Sequence, residues 1–227
     1  MRKMDRDAFW DLIAEAKREC GQDMDASVRW LTERLTALGS RQAQDFQDIL
    51  RGYQELANQS GLWCAASVMR PDASEEEYFL SFRNWLIAQG REVYMAALRN
   101  PDSLADVEPY GYCEFEELDN PAPSAVVKLD GQYIETSDAA PAFTKLKSEL
   151  EMDIVYGEGI GYPYEWEEMA GYLPRLCGKY LTGEELSLKI RTEVLWNPDH
   201  PEIQALRAAG PPDGGAHSAG IKMGGIT

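Results

Sequence analysis

The sequence predicts a mainly α-helical protein with a multi-helix N-terminal domain over residues 5–107, an acidic α+β extension over 108–205 and a disordered, Gly-rich tail over 206–227. Apolar residues recur at helical spacing through the first hundred positions, which is typical of amphipathic helices. An Asp-Gly pair between two β-prone runs indicates one β-hairpin in the extension. The tail is rich in glycine and has little apolar surface to bury, which predicts disorder.

Helix-capping residues divide the N-terminal region into successive helices. The first helix is expected to begin at Asp5 or Asp7 and to end at Gly21, because aspartate caps helix N-termini and glycine adopts the left-handed conformation that ends them. A second helix is predicted over residues 25–38, and Ser40 is expected to cap a third. Their apolar stripes contain Phe9, Leu12, Ile13, Ala16, Val28, Leu31, Leu35, Ala43, Phe46, Ile49, Leu50 and Tyr53.

A short apolar segment, which is either a turn or a helix, and two further helices complete the N-terminal domain. Residues 62–69 are almost all apolar, which places them in the core. Ser74 and Glu77 form a capping box, which predicts a helix that ends near Gly90. The last helix of this domain covers residues 91–100 and ends at a proline.

The extension gives weaker and more varied signals. Its predicted hairpin lies near residues 125–134. Helices are expected near residues 140–152 and 165–180, the latter interrupted by Pro174. Residues 183–196 are compatible with either a helix or an extended segment.

The charge distribution points to a basic partner. The formal net charge is −17, and residues 108–168 contain 15 acidic and 3 basic residues, so most of the negative charge lies in the extension. Nucleic-acid binding depends largely on lysine and arginine, so this composition argues against it. A partner attracted by charge is expected to be a basic protein that docks on the extension.

The composition contains few of the residues that catalysis and metal binding commonly use. The four cysteines, Cys20, Cys64, Cys113 and Cys177, are far apart, and His200 is the one histidine outside the Gly-rich tail. We therefore assign no catalytic residue, no cofactor and no metal site. No apolar stretch approaches the roughly 20 residues of a membrane span, and no signal-peptide pattern is present, so we expect a cytoplasmic protein. The oligomeric state is left open.

Four blocks of the first half resemble a known family. They are FWDLI at 9–13, GLWCAA at 61–66, YFLSFRNWLIAQGREVY at 78–94 and NPDSLA at 100–105. Together they resemble domain-of-unknown-function family 4240, a family of uncharacterised bacterial proteins, over roughly residues 5–107. The resemblance implies a compact helical domain. It implies no activity and supplies no catalytic residues.

The best candidate binding surface in the sequence lies at residues 156–168, which mix glycines, aromatic rings and carboxylates. A phosphate-binding loop is disfavoured, because the third glycine comes one residue early and Pro163 interrupts the pattern. A protein-binding patch for a basic partner and a solvated loop with buried aromatic anchors explain the composition equally well. The candidate residues of the patch are Tyr162, Tyr164, Glu165, Trp166, Glu167 and Glu168.

Two other clusters are weaker candidates. Arg83 and Arg91 could anchor an anionic small molecule beside an aromatic wall, although pairing with nearby carboxylates is the favoured interpretation. The carboxylates Glu114, Glu116, Glu117 and Asp119 could do acid-base work or bind a cation, but a solvated acidic run is favoured.

Two functional hypotheses follow from these patterns. The first is a non-enzymatic interaction or regulatory module that binds a basic protein through the acidic, Tyr-rich segment 110–168. The second is a small-molecule-binding domain or enzyme with an arginine anchor in an aromatic groove.

Overall fold

The computed structural model describes residues 3–70, 76–134, 141–161 and 166–181. All of them belong to one compact unit, Met1–Gly183. The second unit, Glu184–Thr227, falls outside the described residues, and so does the predicted disordered tail.

The described residues form ten α-helices and three short 3₁₀-helices, with no β-strand among them. The mainly helical prediction is therefore confirmed, whereas the α+β extension is wrong. In chain order the elements are α1 (Arg6–Cys20), α2 (Met24–Leu38), α3 (Ser40–Leu56), α4 (Ser60–Met69), α5 (Glu76–Ala88), α6 (Arg91–Arg99), η1 (Pro101–Asp106), η2 (Gly111–Cys113), η3 (Glu116–Asp119), α7 (Pro121–Asp130), α8 (Pro141–Glu151), α9 (Trp166–Tyr172) and α10 (Pro174–Tyr180).

Most of the predicted helix ends in the N-terminal region agree with the structure. Asp5 caps α1 by accepting a hydrogen bond from the Ala8 amide at 3.0 Å, and Gly21 ends the helix with a φ of +62°. The predicted Ser40 cap is wrong, because Gly39 occupies the N-cap position of α3 and Ser40 is its first helical residue. Ser74 lies outside the described residues, and α5 begins two residues after it.

The core is built around α3 and the aromatic side chains that contact it. Phe9, Phe46, Tyr53, Tyr94 and Trp85 are all fully buried. Their rings pack edge-on or tilted, as aromatic pairs prefer, with centroids 4.9 Å apart for Phe9 and Phe46 and 5.3 Å apart for Tyr53 and Tyr94. The Tyr94 hydroxyl donates to the Tyr53 carbonyl oxygen at 2.6 Å, which ties α6 to α3.

The predicted β-hairpin near residues 125–134 is replaced by α7. The Asp-Gly pair is the end of this helix, and Gly131 stops it in the left-handed conformation with a φ of +68°. Pro121 begins the helix at a position that tolerates proline. Ala125 and Val126 are buried where α7 packs on α2 and α3, and this packing outweighs the β-preference of the two valines.

The helices predicted near 140–152 and 165–180 correspond to α8, α9 and α10, with the break at Pro174. A cap supplied from η1 fixes the start of α10. The buried Asp102 carboxylate accepts hydrogen bonds from the backbone amides of Arg175 at 3.0 Å and Leu176 at 2.9 Å. A side chain 73 residues earlier in the chain thus caps α10 and holds it against the N-terminal helices.

Replacing Asp102 with alanine is expected to lower the free energy of unfolding by about 2 kcal/mol, because two helix amides lose their acceptor in a buried position. Denaturant unfolding measures the loss, and hydrogen exchange is expected to rise first at residues 174–181. Asp106→Asn is the matched control, since it removes only an exposed ion pair with Arg175 and is expected to change stability by less than about 0.5 kcal/mol. Equal losses for the two variants would contradict a capping role.

The loop after α8 docks on α6 and α4 through very close backbone contacts. The Gly157 amide donates to the Leu98 carbonyl oxygen at 2.9 Å, and the Gly61 amide donates to the Ile160 carbonyl oxygen at 2.7 Å. A Cβ atom at Gly157 would collide with the carbonyl oxygen of Arg99. This position therefore requires glycine for space.

Gly157→Ala is expected to cost about 1–3 kcal/mol of stability, because the added methyl group forces the loop away from α6. The control is Gly171→Ala in α9, where an added Cβ meets no atom within 4 Å. Thermal unfolding of both variants provides the comparison, and a Gly157→Ala variant as stable as the Gly171→Ala variant would show that the loop relaxes without cost.

Candidate functional site

Residues 112–119 lie along helix α5 and run in the same direction as the helix. Three contacts define the register. The Arg70 guanidinium lies over the rings of both Tyr78 and Tyr112, at 5.2 and 5.4 Å from their centroids. Further along, the Phe115 amide donates to the Ser81 carbonyl oxygen at 3.0 Å, and the Asn84 side-chain amide donates to Asp119 Oδ2 at 2.8 Å. We call the surface formed by residues 78–84 and 112–120 the acidic strip.

A cavity of about 430 Å³ opens at the far end of the acidic strip. Glu116 and Glu117 at this cavity are exposed, whereas Ser81 and Asn84 are buried. Asp119 is half-buried. The complete lining is Leu80, Ser81, Asn84, Glu116, Glu117, Asp119 and Asn120.

Three neutral amide side chains hold the Asp119 carboxylate in place. Its Oδ1 accepts from Gln54 Nε2 at 2.9 Å and from Gln47 Nε2 at 3.4 Å, and its Oδ2 accepts from Asn84 Nδ2. Gln54 Nε2 also donates to Asn84 Oδ1 at 2.5 Å, which links two of the amides. Because a carboxylate only accepts hydrogen bonds, each amide must present its nitrogen to Asp119. We call these four residues the amide–carboxylate cluster.

The cluster has acceptors to spare and its carboxylate forms no ion pair within the described residues, although the buried Arg83 guanidinium donates to the backbone carbonyl oxygen of Gln54. In the same part of the chain, neither Glu116 nor Glu117 has a basic partner. Gln47 is only 6% exposed, yet its Oε1 accepts no hydrogen bond there. A buried acceptor without a donor is costly, so the cluster is short of donors.

The chain positions this cluster through ordinary packing. Gln47 and Gln54 are seven residues apart on α3 and therefore share one face of the helix. Asn84 projects from α5, and Phe115 and Leu118 are buried on either side of the exposed glutamates. The two apolar anchors hold η3 against α5 and so bring Asp119 to the three amides.

The other end of the acidic strip is aromatic. A cavity of about 280 Å³ is lined by Met69, Arg70, Pro109, Tyr110, Tyr112, Cys113 and Tyr180. Tyr112 is 82% exposed, whereas Cys113 is buried, and both have positive φ angles of 56° and 59°. Burial raises the pKa of the Cys113 thiol to about 11, so it is protonated at neutral pH. Arg70 also pairs with Glu114, so this end already contains a cation.

The candidate patch at residues 162–168 is described only in part. Tyr162, Tyr164 and Glu165 lie outside the described residues. Trp166, Glu167 and Glu168 lie in α9, and the Glu168 side chain is exposed. The binding role of these residues stays a prediction.

The two candidate arginines lie in different environments. Arg83 is buried, and its guanidinium donates to the carbonyl oxygens of Gln54 at 2.8 Å and Phe79 at 3.3 Å. Arg91 lies at the surface and pairs with Asp7 and Asp153, each at 2.9 Å. The structure does not bring the two arginines together in one site, and an anion-anchoring role for either stays a prediction.

Comparison with known protein families gives a match over the first half of the chain. The family described as "Protein of unknown function (DUF4240)" matches residues 4–126, more than half of the chain. The protein belongs to the DUF4240 family. This confirms the resemblance drawn from the sequence blocks. No curated protein and no solved structure matches the chain significantly.

The DUF4240 match includes all four members of the amide–carboxylate cluster. Gln47, Gln54, Asn84 and Asp119 all fall within residues 4–126, whereas Tyr180 and helices α8 to α10 follow the matched region. The cluster thus lies in the part of the chain that matches the family. Within the described residues, no helix is long and apolar enough to cross a membrane, and no group of three potential ligands could hold a metal ion.

Sequence reasoning did not find this cluster. The sequence pattern places Asp119 in a solvated acidic run and gives no reason to single out the two α3 glutamines. One signal was present: Ala43, Gln47, Leu50 and Gln54 follow helical spacing, so the glutamines occupy positions of an apolar stripe. Polar residues on such a stripe need buried partners.

A groove of about 1140 Å³ lies between α3, the end of α7 and α8. Asp48 lines it and accepts from Gln44 Nε2 at 2.9 Å. Burial, followed by the negative charge of nearby Asp45, raises the pKa of Asp48 above its usual value of 3.8, although Gln44 and the cations of Arg51 and Lys3 oppose the rise. The folded protein therefore binds a proton at Asp48 more readily than the unfolded chain does.

Asp48→Asn is expected to be more stable than the wild type at pH 7, because the variant has no carboxylate charge to desolvate. A raised folded-state pKa contributes stability that is full below the unfolded value near 3.8 and is lost as the pH rises through the folded value. The difference between variant and wild type should therefore vanish in acid. Denaturant unfolding from pH 3 to 8 measures the stability difference between Asp48→Asn and the wild type. Asp11→Asn, on the exposed face of α1, is the control. A stability difference that does not change with pH would contradict a raised pKa at Asp48.

Proposed function

We propose that this protein is a non-enzymatic interaction module whose acidic strip binds a basic segment of a partner protein. The observation that carries the proposal is the Asp119 carboxylate, which lies at a cavity, is held by three neutral amides and forms no ion pair within the described residues. A carboxylate fixed in this way is an acceptor already oriented toward an incoming positive group. The partly shielded cavity strengthens such an attraction relative to open water.

The surrounding charge supports the same proposal. Glu116 and Glu117 are exposed beside Asp119, and residues 108–168 carry most of the net charge of −17. A negative electrostatic field of this kind raises the association rate of a basic partner and disfavours the binding of acidic proteins. The cytoplasmic location expected from the sequence is part of this proposal.

The exposed aromatic ring at the other end of the strip also favours protein binding. Tyrosine is enriched among the residues that contribute most to interface affinity, and Tyr112 presents most of its surface to solvent. The nearby Cys113 offers no nucleophile, since its pKa of about 11 keeps the thiol protonated. An arginine-anchored small-molecule site finds less support, because Arg83 donates to backbone carbonyl oxygens and Arg91 pairs with two aspartates.

A fluorescent octalysine peptide provides a defined basic probe for the full chain. The double variant Glu116→Gln, Glu117→Gln is expected to bind the peptide about fivefold more weakly than the wild type, because two carboxylates beside the cavity lose their charge. The difference should diminish as salt is raised to 0.5 M. Fluorescence anisotropy measures both effects.

Two other double variants carry the same change in net charge. Glu149→Gln, Glu158→Gln neutralises exposed positions away from the strip, and Glu167→Gln, Glu168→Gln tests the patch predicted at residues 162–168. Equal losses in all three would mean that octalysine senses only the overall field. A larger loss for the α9 pair would assign binding to that patch and remove the acidic strip from contention.

A further inference from the structure

The hydrogen bonds of Asp119 restrict which cation fits the cavity, and this inference rests on the proposed function of the acidic strip. A carboxylate offers about two acceptor positions on each oxygen. Oδ1 already receives Gln54 at 2.9 Å and, through a longer contact of 3.4 Å, Gln47, so both of its positions are occupied, whereas Oδ2 receives only Asn84 and has one position left.

A guanidinium group needs one free position on each oxygen for its two-pronged contact. The filled Oδ1 prevents that geometry. An ammonium group instead directs three separate donors from one small centre. One donor can reach Oδ2, and Glu116 and Glu117, which line the same cavity, add negative charge around the ammonium group.

The neutral part of the amide–carboxylate cluster is also short of donors. The buried Gln47 carbonyl oxygen, Oε1, accepts no hydrogen bond within the described residues, although the Nε2 atom of the same amide donates to Asp119. The cluster therefore lacks donors on a neutral side chain as well as on a charged one. Gln47 does not line the cavity, so the carboxylates rather than this atom select the ligand.

The aromatic end of the strip favours a different side chain. Arg70 already lies over the Tyr78 and Tyr112 rings and pairs with Glu114, so a second cation there would be repelled. Tyr112, Met69 and Pro109 leave an apolar surface around the smaller cavity. An apolar or aromatic side chain is therefore the better complement.

The spacing of the two ends sets the length of the ligand. Residues 78 and 84 mark them on α5, and six helical residues span about 9 Å. In a polyproline II segment, side chains three positions apart share a face and are also about 9 Å apart. We infer that the acidic strip binds an extended peptide segment in which a lysine enters the Asp119 cavity and an apolar residue three positions away packs on Tyr112.

Labelled peptides that contain Phe-Pro-Pro-Lys, in both orders, test this inference on the full chain at low salt. Lysine is expected to bind about tenfold more tightly than arginine at the same position, and neutral norleucine is expected to lose binding. Asp119→Asn should weaken the lysine peptide about tenfold, and Tyr112→Ala should weaken it about fivefold while leaving a peptide with alanine in place of phenylalanine unchanged. Glu149→Gln is the control for the change in net charge. If circular dichroism shows that Asp119→Asn is misfolded, the exposed double variant Glu116→Gln, Glu117→Gln takes its place.

The possible outcomes separate this inference from the proposed function. Arginine binding as tightly as lysine, with both lost in the Asp119 variant, would overturn the ammonium preference and leave the proposed function standing. Lysine and arginine peptides that bind the Asp119 and Glu116/Glu117 variants as tightly as the wild type would overturn both. If cadaverine, a free diamine, bound as tightly as the peptide, the site would belong to a small amine and the peptide inference would be wrong.

Discussion

The fold depends on the near-complete burial of helix α3. Helices α1, α2, α5, α7 and α8 all pack against it, and Gly52 leaves room for Leu150 to approach its backbone. A helix enclosed in this way buries polar residues along with apolar ones, and each buried polar group needs a partner. The amides of Gln47 and Gln54 find theirs in Asp119, so the packing of the core and the chemistry of the acidic strip have the same origin.

Periodicity and capping were sufficient to predict the N-terminal helices, because amphipathic stripes and helix-ending glycines are local properties of the chain. The hairpin prediction failed where two local signals coincide. An Asp-Gly pair serves a two-residue hairpin turn and a left-handed helix end equally well, and the valines before it favour strands. Only the packing of Ala125 and Val126 on α2 and α3 decides between the two, and that contact joins residues far apart in sequence.

The candidate site was harder to predict than the fold. Glutamine and asparagine are common on helix surfaces, and no motif joins positions 47, 54, 84 and 119. Asp119 also lies in a run of acidic residues whose other members are largely exposed, so composition alone assigns it to solvent. The run was correctly recognised as the acidic part of the chain, but the half-buried position of one member depends on Phe115 and Leu118, which turn η3 onto α5.

The left-handed turn at η2 lowers the conformational-entropy cost of binding a partner at Tyr112. Gly111, Tyr112 and Cys113 all have positive φ angles, so the backbone there occupies a narrow conformational range. Cys113 is anchored in the core, and Arg70 lies over the Tyr112 ring. The tyrosine is therefore exposed on a chain segment that is already ordered. When a partner packs on this ring, the loop loses less conformational entropy than a flexible loop would lose. The surface is therefore pre-organised for binding.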